Sequence, residues 1–194
     1  MRHISKNCGA VILCGGASRR MGKNKAELVL GGASMLERTY ACLTGFDEVV
    51  LSVGADVPER LPGVRRIPDV FPGCGPLAGI HATLLATEKE ALFYVPCDLP
   101  YFCAELPQSL LEHMPLHAEA FVCRDSTGRI HPLCGIYRKS VLPLLESELK
   151  SGLYSVMRFL QKLEYCCLDT AQLLPDSVFL NMNTPDTYRK VCEE

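Results

Sequence analysis

The segment Leu13-Cys14-Gly15-Gly16-Ala17-Ser18-Arg19-Arg20-Met21-Gly22-Lys23-Asn24-Lys25 packs three glycines and four cations into thirteen residues. Glycine amides approach an anion closely, and Arg19, Arg20, Lys23 and Lys25 supply the positive charge, so this is a polyphosphate cradle. Gly16 and Gly22 are separated by five residues, and Asn24 stands where a P-loop carries the hydroxyl that holds magnesium, so the P-loop pattern does not apply. The dinucleotide pattern Gly-x-Gly-x-x-Gly is also missing. The plainer alternative, a solvated basic loop capping a sheet, explains the charge but not the glycines beside it.

A second constellation is Pro96-Cys97-Asp98-Leu99-Pro100. Prolines at both ends fix the backbone, and the hydrophobic run before them places Asp98 at the end of a strand. A lone aspartate there is often a turn residue. Combined with a phosphate cradle it becomes a magnesium site, since Mg2+ takes one or two carboxylates plus phosphate oxygens and water. Asp69 follows another short apolar run and points at the same rim. In Pro72-Gly73-Cys74-Gly75-Pro76-Leu77-Ala78-Gly79, Gly75 precedes a helix whose amino end faces an anion or a base edge. Gly79 marks either close approach of a ligand or tight packing of that helix on the sheet. Asn181-Met182-Asn183-Thr184-Pro185 offers two amides ahead of a Thr cap and a first-turn proline; Asn181 and Asn183 serve a ligand or the cap, and spacing favours the cap. His131, in His131-Pro132-Leu133, opens a strand that reaches an acceptor pocket, although a lone histidine is more often structural. His113 and His117 have Pro115 between them and make a poor metal pair.

These residues need a scaffold that brings strand ends together. Cys8 to Cys14 is a continuous apolar run ending in Gly15-Gly16, as in a strand buried on both faces. A helix starts at Ser34, with Glu37 three residues on, and runs to about Thr44 before Gly45. Glu48–Val53, Val64–Ile67 and Ala91–Val95 are further strands, and Leu77–Ala86 has helical spacing. Phe121–Arg124 and Ile130–Tyr137 form an antiparallel pair around Ser126-Thr127-Gly128. Helices at Val141–Lys150 and Ser155–Leu160, a strand near Tyr165–Leu168 and a helix after Pro185 follow. Strands alternating with helices imply an α/β fold with a mostly parallel sheet covered on both faces, binding ligands beyond the carboxyl ends of its strands.

The 194 residues suit a single domain, 1–194, able to bury roughly 70% of its unfolded surface. With 22 acidic against 20 basic side chains, no basic excess suggests a nucleic-acid partner. Tryptophan is absent, so stacking platforms for single strands are not indicated. No apolar stretch is long enough to span a bilayer, and the polar start, Met1 to Asn7, lacks a secretion signal, so a cytoplasmic location is expected. The 11 cysteines contain no Cys-x-x-Cys pair and are expected to be reduced core residues.

The order of these motifs resembles the molybdenum cofactor guanylyltransferases. The shared elements are Leu13-x-Gly15-Gly16 with Ser18, Arg20-Met21-Gly22 and Lys25, then Gly75-Pro76-Leu77-Ala78-Gly79, Pro96-Cys97-Asp98-Leu99-Pro100, His131-Pro132-Leu133, and Asn181-x-Asn183-Thr184-Pro185. The opening signature is common to many nucleotidyltransferases; the later segments narrow it to the molybdopterin branch. The resemblance implies a Rossmann-like three-layer α/β/α nucleotidyltransferase fold and transfer of GMP from GTP to the terminal phosphate of molybdopterin, with release of pyrophosphate. It further implies that Leu13, Cys14 and Gly15 contact the nucleotide, that Lys25 contacts its phosphates, that Asp69 helps bind it, and that Asp98 binds Mg2+. Cys14 stands where the family commonly has Ala, and Ser52 where a nucleotide-contacting Asn is often found.

In such a reaction Lys25 and Arg20 hold the leaving phosphates, and the attacking phosphate is already ionised and needs no general base. A cytidylyltransferase, or a transferase for another phosphorylated acceptor, is the alternative within the same class. From a different class comes a non-catalytic nucleotide-binding adaptor for cofactor delivery, which could dispense with Lys25 and Asp98. Transient contact with cofactor-synthesis or molybdoenzyme proteins is expected of a labile product.

Overall fold

The computed structural model describes residues 7–15, 28–54, 61–182 and 184–193. Its first half contains β1 (Cys8–Leu13), β2 (Val29–Leu30), β3 (Ala33–Ser34), α1 (Met35–Ala41), β4 (Val49–Val53), β5 (Arg65–Pro68), α2 (Pro76–Ala86) and β6 (Ala91–Pro96). Its second half contains α3 (Glu105–His113), β7 (Ala120–Arg124), β8 (Ile130–Arg138), α4 (Leu142–Lys150), α5 (Val156–Leu160), β9 (Tyr165–Asp169) and α6 (Pro185–Glu193).

Every residue of β1 is buried because the strand lies inside a seven-stranded sheet, parallel to β4 on one side and β6 on the other. The sheet order is β5-β4-β1-β6-β8-β7-β9, and β8 alone runs against the rest. Successive side chains of a strand face opposite ways. Cys8, Ala10, Ile12 and Cys14 therefore join Leu36 of α1 and Leu106 and Leu110 of α3 in one core. Val11 and Leu13 join Leu77 and Ile80 of α2, Leu145 of α4 and Phe159 of α5 in another. The three-layer α/β arrangement with its reversed strand is the one the sequence led us to expect.

Ser34 caps α1 through the expected box, its hydroxyl accepting from the Glu37 amide at 3.2 Å while the Glu37 carboxylate accepts from the Ser34 amide at 2.7 Å. The helix is shorter than expected, ending at Ala41 with Cys42 as its cap. Two elements escape the sequence reading. The β2–β3 hairpin is a two-residue turn over Gly31 and Gly32, both at positive φ, 61° and 87°. Helix α3 has no side-chain cap and carries Pro107, burying only Leu106, Pro107 and Leu110.

The β7–β8 register jumps from Val122↔Gly135 to Cys123↔His131, leaving Pro132, Leu133 and Cys134 as surplus residues in β8. Pro132 has no N–H to give to a ladder, so the irregularity falls where the sequence permits it. The β6–β8 ladder likewise stops at Tyr94↔Gly135. Both strands continue past that point without pairing to each other, and the sheet parts there.

Among the described residues no helix is long and apolar enough to cross a membrane. All 11 cysteines are free thiols; Cys8, Cys14, Cys97, Cys123 and Cys134 are buried as expected, five others are half-buried, and Cys192 is exposed.

Candidate active site

From β1 the chain steps to β4 and then β5 on one side, and β6 lies on the other side of β1. The loops leaving β1 and β6 therefore diverge, which in an open α/β sheet opens a ligand crevice over those strand ends. The amide of Cys97 donates to the Leu13 carbonyl at 3.2 Å, and the amide of Cys14 to the Ser52 carbonyl at 2.9 Å, so three loop starts are fixed to one another. Leu13 and Cys14 are buried and Gly15 is exposed on the rim. Gly16, Arg20, Lys25 and Asn183 lie outside the described residues.

Ser52, at 3% exposure, is covered by α2. A Cβ built on Gly79 would come well inside 3.0 Å of the Ser52 hydroxyl, so the glycine serves tight helix-on-sheet packing, the plainer of its two readings. Thr83 reinforces that contact: its hydroxyl donates to the Gly79 carbonyl at 2.7 Å and lies 2.9 Å from the Tyr94 hydroxyl of β6. Gly75 precedes α2 as its cap without a side-chain bond, and Pro76 starts the helix. Asp69, just beyond β5, is half-buried, and burial alone pushes its carboxyl up to about 6. A desolvated carboxyl of this kind is a common mark of a functional rim.

Asp98 is 6% exposed. Its carboxylate accepts from Asn181 Nδ2 at 2.9 Å, and its main-chain carbonyl accepts from the Met182 amide at 3.0 Å. The Thr cap read from the sequence is present, the Thr184 hydroxyl accepting from the Thr187 amide at 3.2 Å, and Asn181, for which spacing favoured the cap over a ligand, does not make it. Asn181 is thereby released to serve Asp98. Among the described residues its other amide atom, Oδ1, is buried with no hydrogen-bond partner. An orphaned carbonyl oxygen beside a buried carboxylate is a hard oxygen donor set of the kind Mg2+ prefers, so these residues fit a divalent cation.

Farther along the rim, His131 Nε2 lies 2.8 Å from Asp125 Oδ2. The ring stacks on Phe179, centroids 4.0 Å apart and planes within 9°. Asp125 Oδ1 also accepts from the Thr127 amide and hydroxyl and from the Arg129 amide. The bonds from Thr127 and His131 hold the Asp125 carboxyl well below the usual carboxylate range. Neither Asp125 nor Phe179 stands out in the sequence, although an Asp six residues before a strand-opening His across a Gly turn is a legible pairing.

A small third core ties these parts together. Leu28 and Met35 pack with Met182 and Val191, against Leu30, Tyr101 and Tyr188. The Tyr188 hydroxyl donates to the Val29 carbonyl at 2.8 Å. Helix α6 thus fastens the β2–β3 hairpin to the loop after Asp98.

Residues 10–166 match the family described as MobA-like NTP transferase domain. A probable molybdenum cofactor guanylyltransferase of Carboxydothermus hydrogenoformans is 35% identical over 96% of this chain and 95% of its own. The molybdenum cofactor guanylyltransferase of Rhizobium meliloti is 33% identical over 93% and 88%. Among solved structures, molybdopterin-guanine dinucleotide biosynthesis protein A of Archaeoglobus fulgidus superposes with a TM-score of 0.80 at 24% identity, over 95% of this chain and 97% of that one. A Mycobacterium tuberculosis protein in complex with manganese shares the fold at a TM-score of 0.68 and 19% identity, over 96% and 98%.

Proposed function

The chain belongs to the MobA-like NTP transferase family, and from that membership we propose that it transfers GMP from GTP to the terminal phosphate of molybdopterin, releasing pyrophosphate. The observation that carries this reading is Asp98, nearly buried beside the divergence of β1 and β6, its carboxylate held by Asn181 and its main-chain carbonyl by Met182. The choice of guanine and of molybdopterin is supported by relatives named as guanylyltransferases and by the motif order.

Leu13, Cys14 and Gly15 line the nucleotide side of the crevice, with Ser52 beneath them and Asp69 and Gly75 along the rim. Lys25 and Arg20 provide charge for the leaving pyrophosphate. Asp98 and the Asn181 Oδ1 oxygen hold Mg2+, which when bound neutralises phosphate charge. Asn181 Nδ2 fixes the rotamer of the Asp98 carboxylate, and burial keeps water from competing for it. With an ionised phosphate as nucleophile, the chain needs to position and neutralise rather than to remove a proton.

The test is pyrophosphate release with intact molybdopterin, Mg2+ and GTP, CTP, ATP or UTP supplied separately. Release with GTP alone is expected. Asp98→Asn should lower that rate by roughly 10²–10³-fold, the loss that follows removal of one preorganised charge-stabilising group. Release with CTP alone would make the protein a cytidylyltransferase, and silence with all four nucleotides would favour the non-catalytic adaptor. Undiminished turnover by Asp98→Asn would remove Asp98 from the mechanism.

A further inference from the structure

The acceptor has a body as well as a phosphate, and something in the chain must recognise it. The parting of β6 from β8 beyond Tyr94↔Gly135 leaves Asp98 on one bank and His131 on the other. Two connections set the span. Phe179, which stacks on His131, is two residues from Asn181, which bonds Asp98, so their Cα atoms are at most about 7 Å apart. Gly135, where the β6–β8 ladder stops, and His131 pair with the adjacent β7 residues Val122 and Cys123, so the surplus residues between them bring His131 close to that end of the ladder. His131 therefore lies near enough to Asp98 to meet what the reacting phosphate is attached to.

The ring is held for such a contact. Asp125 takes Nε2, Phe179 covers one face, and the side chain keeps 13% exposure. Asp125 cannot swing away, because its other oxygen accepts three bonds from the turn. Among the described residues, Nδ1 has no hydrogen-bond partner and is not among the buried orphaned atoms. A histidine locked at one nitrogen, with the other open at the end of a parallel-sheet rim, is built to bond a ligand.

We infer that His131, through Nδ1 and with its ring fixed by Asp125 and Phe179, binds the body of the phosphorylated acceptor, the polar edge of its ring system, and so sets acceptor affinity without touching the nucleotide. The inference rests on the transferase reading above.

Two substitutions separate this role from simple support of the turn. His131→Asn keeps a polar atom near the position of Nδ1 and gives up the bond to Asp125. His131→Gln reaches Asp125 and gives up Nδ1. Steady-state kinetics should show KM for molybdopterin raised at least tenfold in His131→Gln and less in His131→Asn, with KM for GTP unchanged in both. Thermal unfolding should rank them the other way, the Gln protein being the more stable. If affinity for molybdopterin instead follows stability, or if KM for GTP moves equally, His131 is only a prop of the turn. Should either variant fail to fold, the 15N resonance of Nδ1 in the wild-type protein decides: a shift with molybdopterin and none with GTP is expected, and no shift in a protein that turns over overturns the inference. Absence of turnover by the wild-type protein with any nucleotide would remove the transferase reading and this inference together.

Discussion

Adding one methyl group at Gly79 tests whether α2 is seated on the sheet by the contact between that glycine and Ser52. In the wild-type protein the new Cβ collides with the buried Ser52 hydroxyl, while Leu13 Cδ2 at 3.3 Å and Ser52 Cβ at 3.4 Å are close but tolerable. Overpacking of this kind costs about 1–3 kcal/mol. Alanine in a helix interior recovers about 1 kcal/mol relative to glycine. Gly79→Ala should therefore destabilise by up to about 2 kcal/mol. In a Ser52→Ala background the colliding oxygen is gone and only the propensity gain remains, so the same substitution should stabilise by about 0.5–1 kcal/mol. Urea unfolding of the four proteins yields the coupling energy, expected at about 1–3 kcal/mol. A coupling within roughly 0.5 kcal/mol of zero, the range of independent sites, would refute the packing account. So would a Gly79→Ala protein more stable than wild type.

Asp69 and Tyr188 give two more expectations. The folded-state pKa of Asp69 is raised to about 6 by burial, against about 3.9 in the unfolded chain, so above pH 6 its charge opposes folding and below it the folded state takes up the proton first. Its contribution to stability should rise as pH falls from 7 to 5, and Asp69→Asn should lose that part of the slope; identical slopes in urea titrations at the two pH values would contradict it. Tyr188→Phe removes the hydroxyl that donates to Val29 and should cost about 0.5–1.5 kcal/mol, toward the lower end at this solvated position, with faster amide exchange in β2. Unchanged exchange there would mean that α6 does not hold the hairpin.

The parts of the molecule legible in the sequence are those whose signal is local. β1 is recognisable because burial on both faces demands an unbroken apolar run, and α1 because Ser34 and Glu37 cap it reciprocally. Asp98 is recognisable from the prolines around it. Helix α3 is hidden because it has no capping side chain and buries three residues, and the β2–β3 hairpin because strands of two residues have no period to detect. Within the site, the partnership of Asn181 with Asp98 spans 83 positions, and the stacking of Phe179 on His131 is equally distant from any local pattern. The burial of Ser52 under Gly79 depends on how α2 is seated, which no residue near Ser52 announces.

The clamp on Asp98 also has a history in time. Chains are made from the amino end at about 5–20 residues per second, so the 83 positions between Asp98 and Asn181 correspond to roughly 4–17 s of synthesis. During that interval β1, β4 and β6 can already pair, while Asp98 at their edge has neither the Asn181 bond to its carboxylate nor the Met182 bond to its carbonyl. Helix α6, which closes the third core over Leu28 and Tyr101, emerges later still. The nascent chain therefore passes through a stage with a formed sheet and an open, unclamped rim. It is at this stage that a chaperone would find Leu28, Met35 and Tyr101 uncovered.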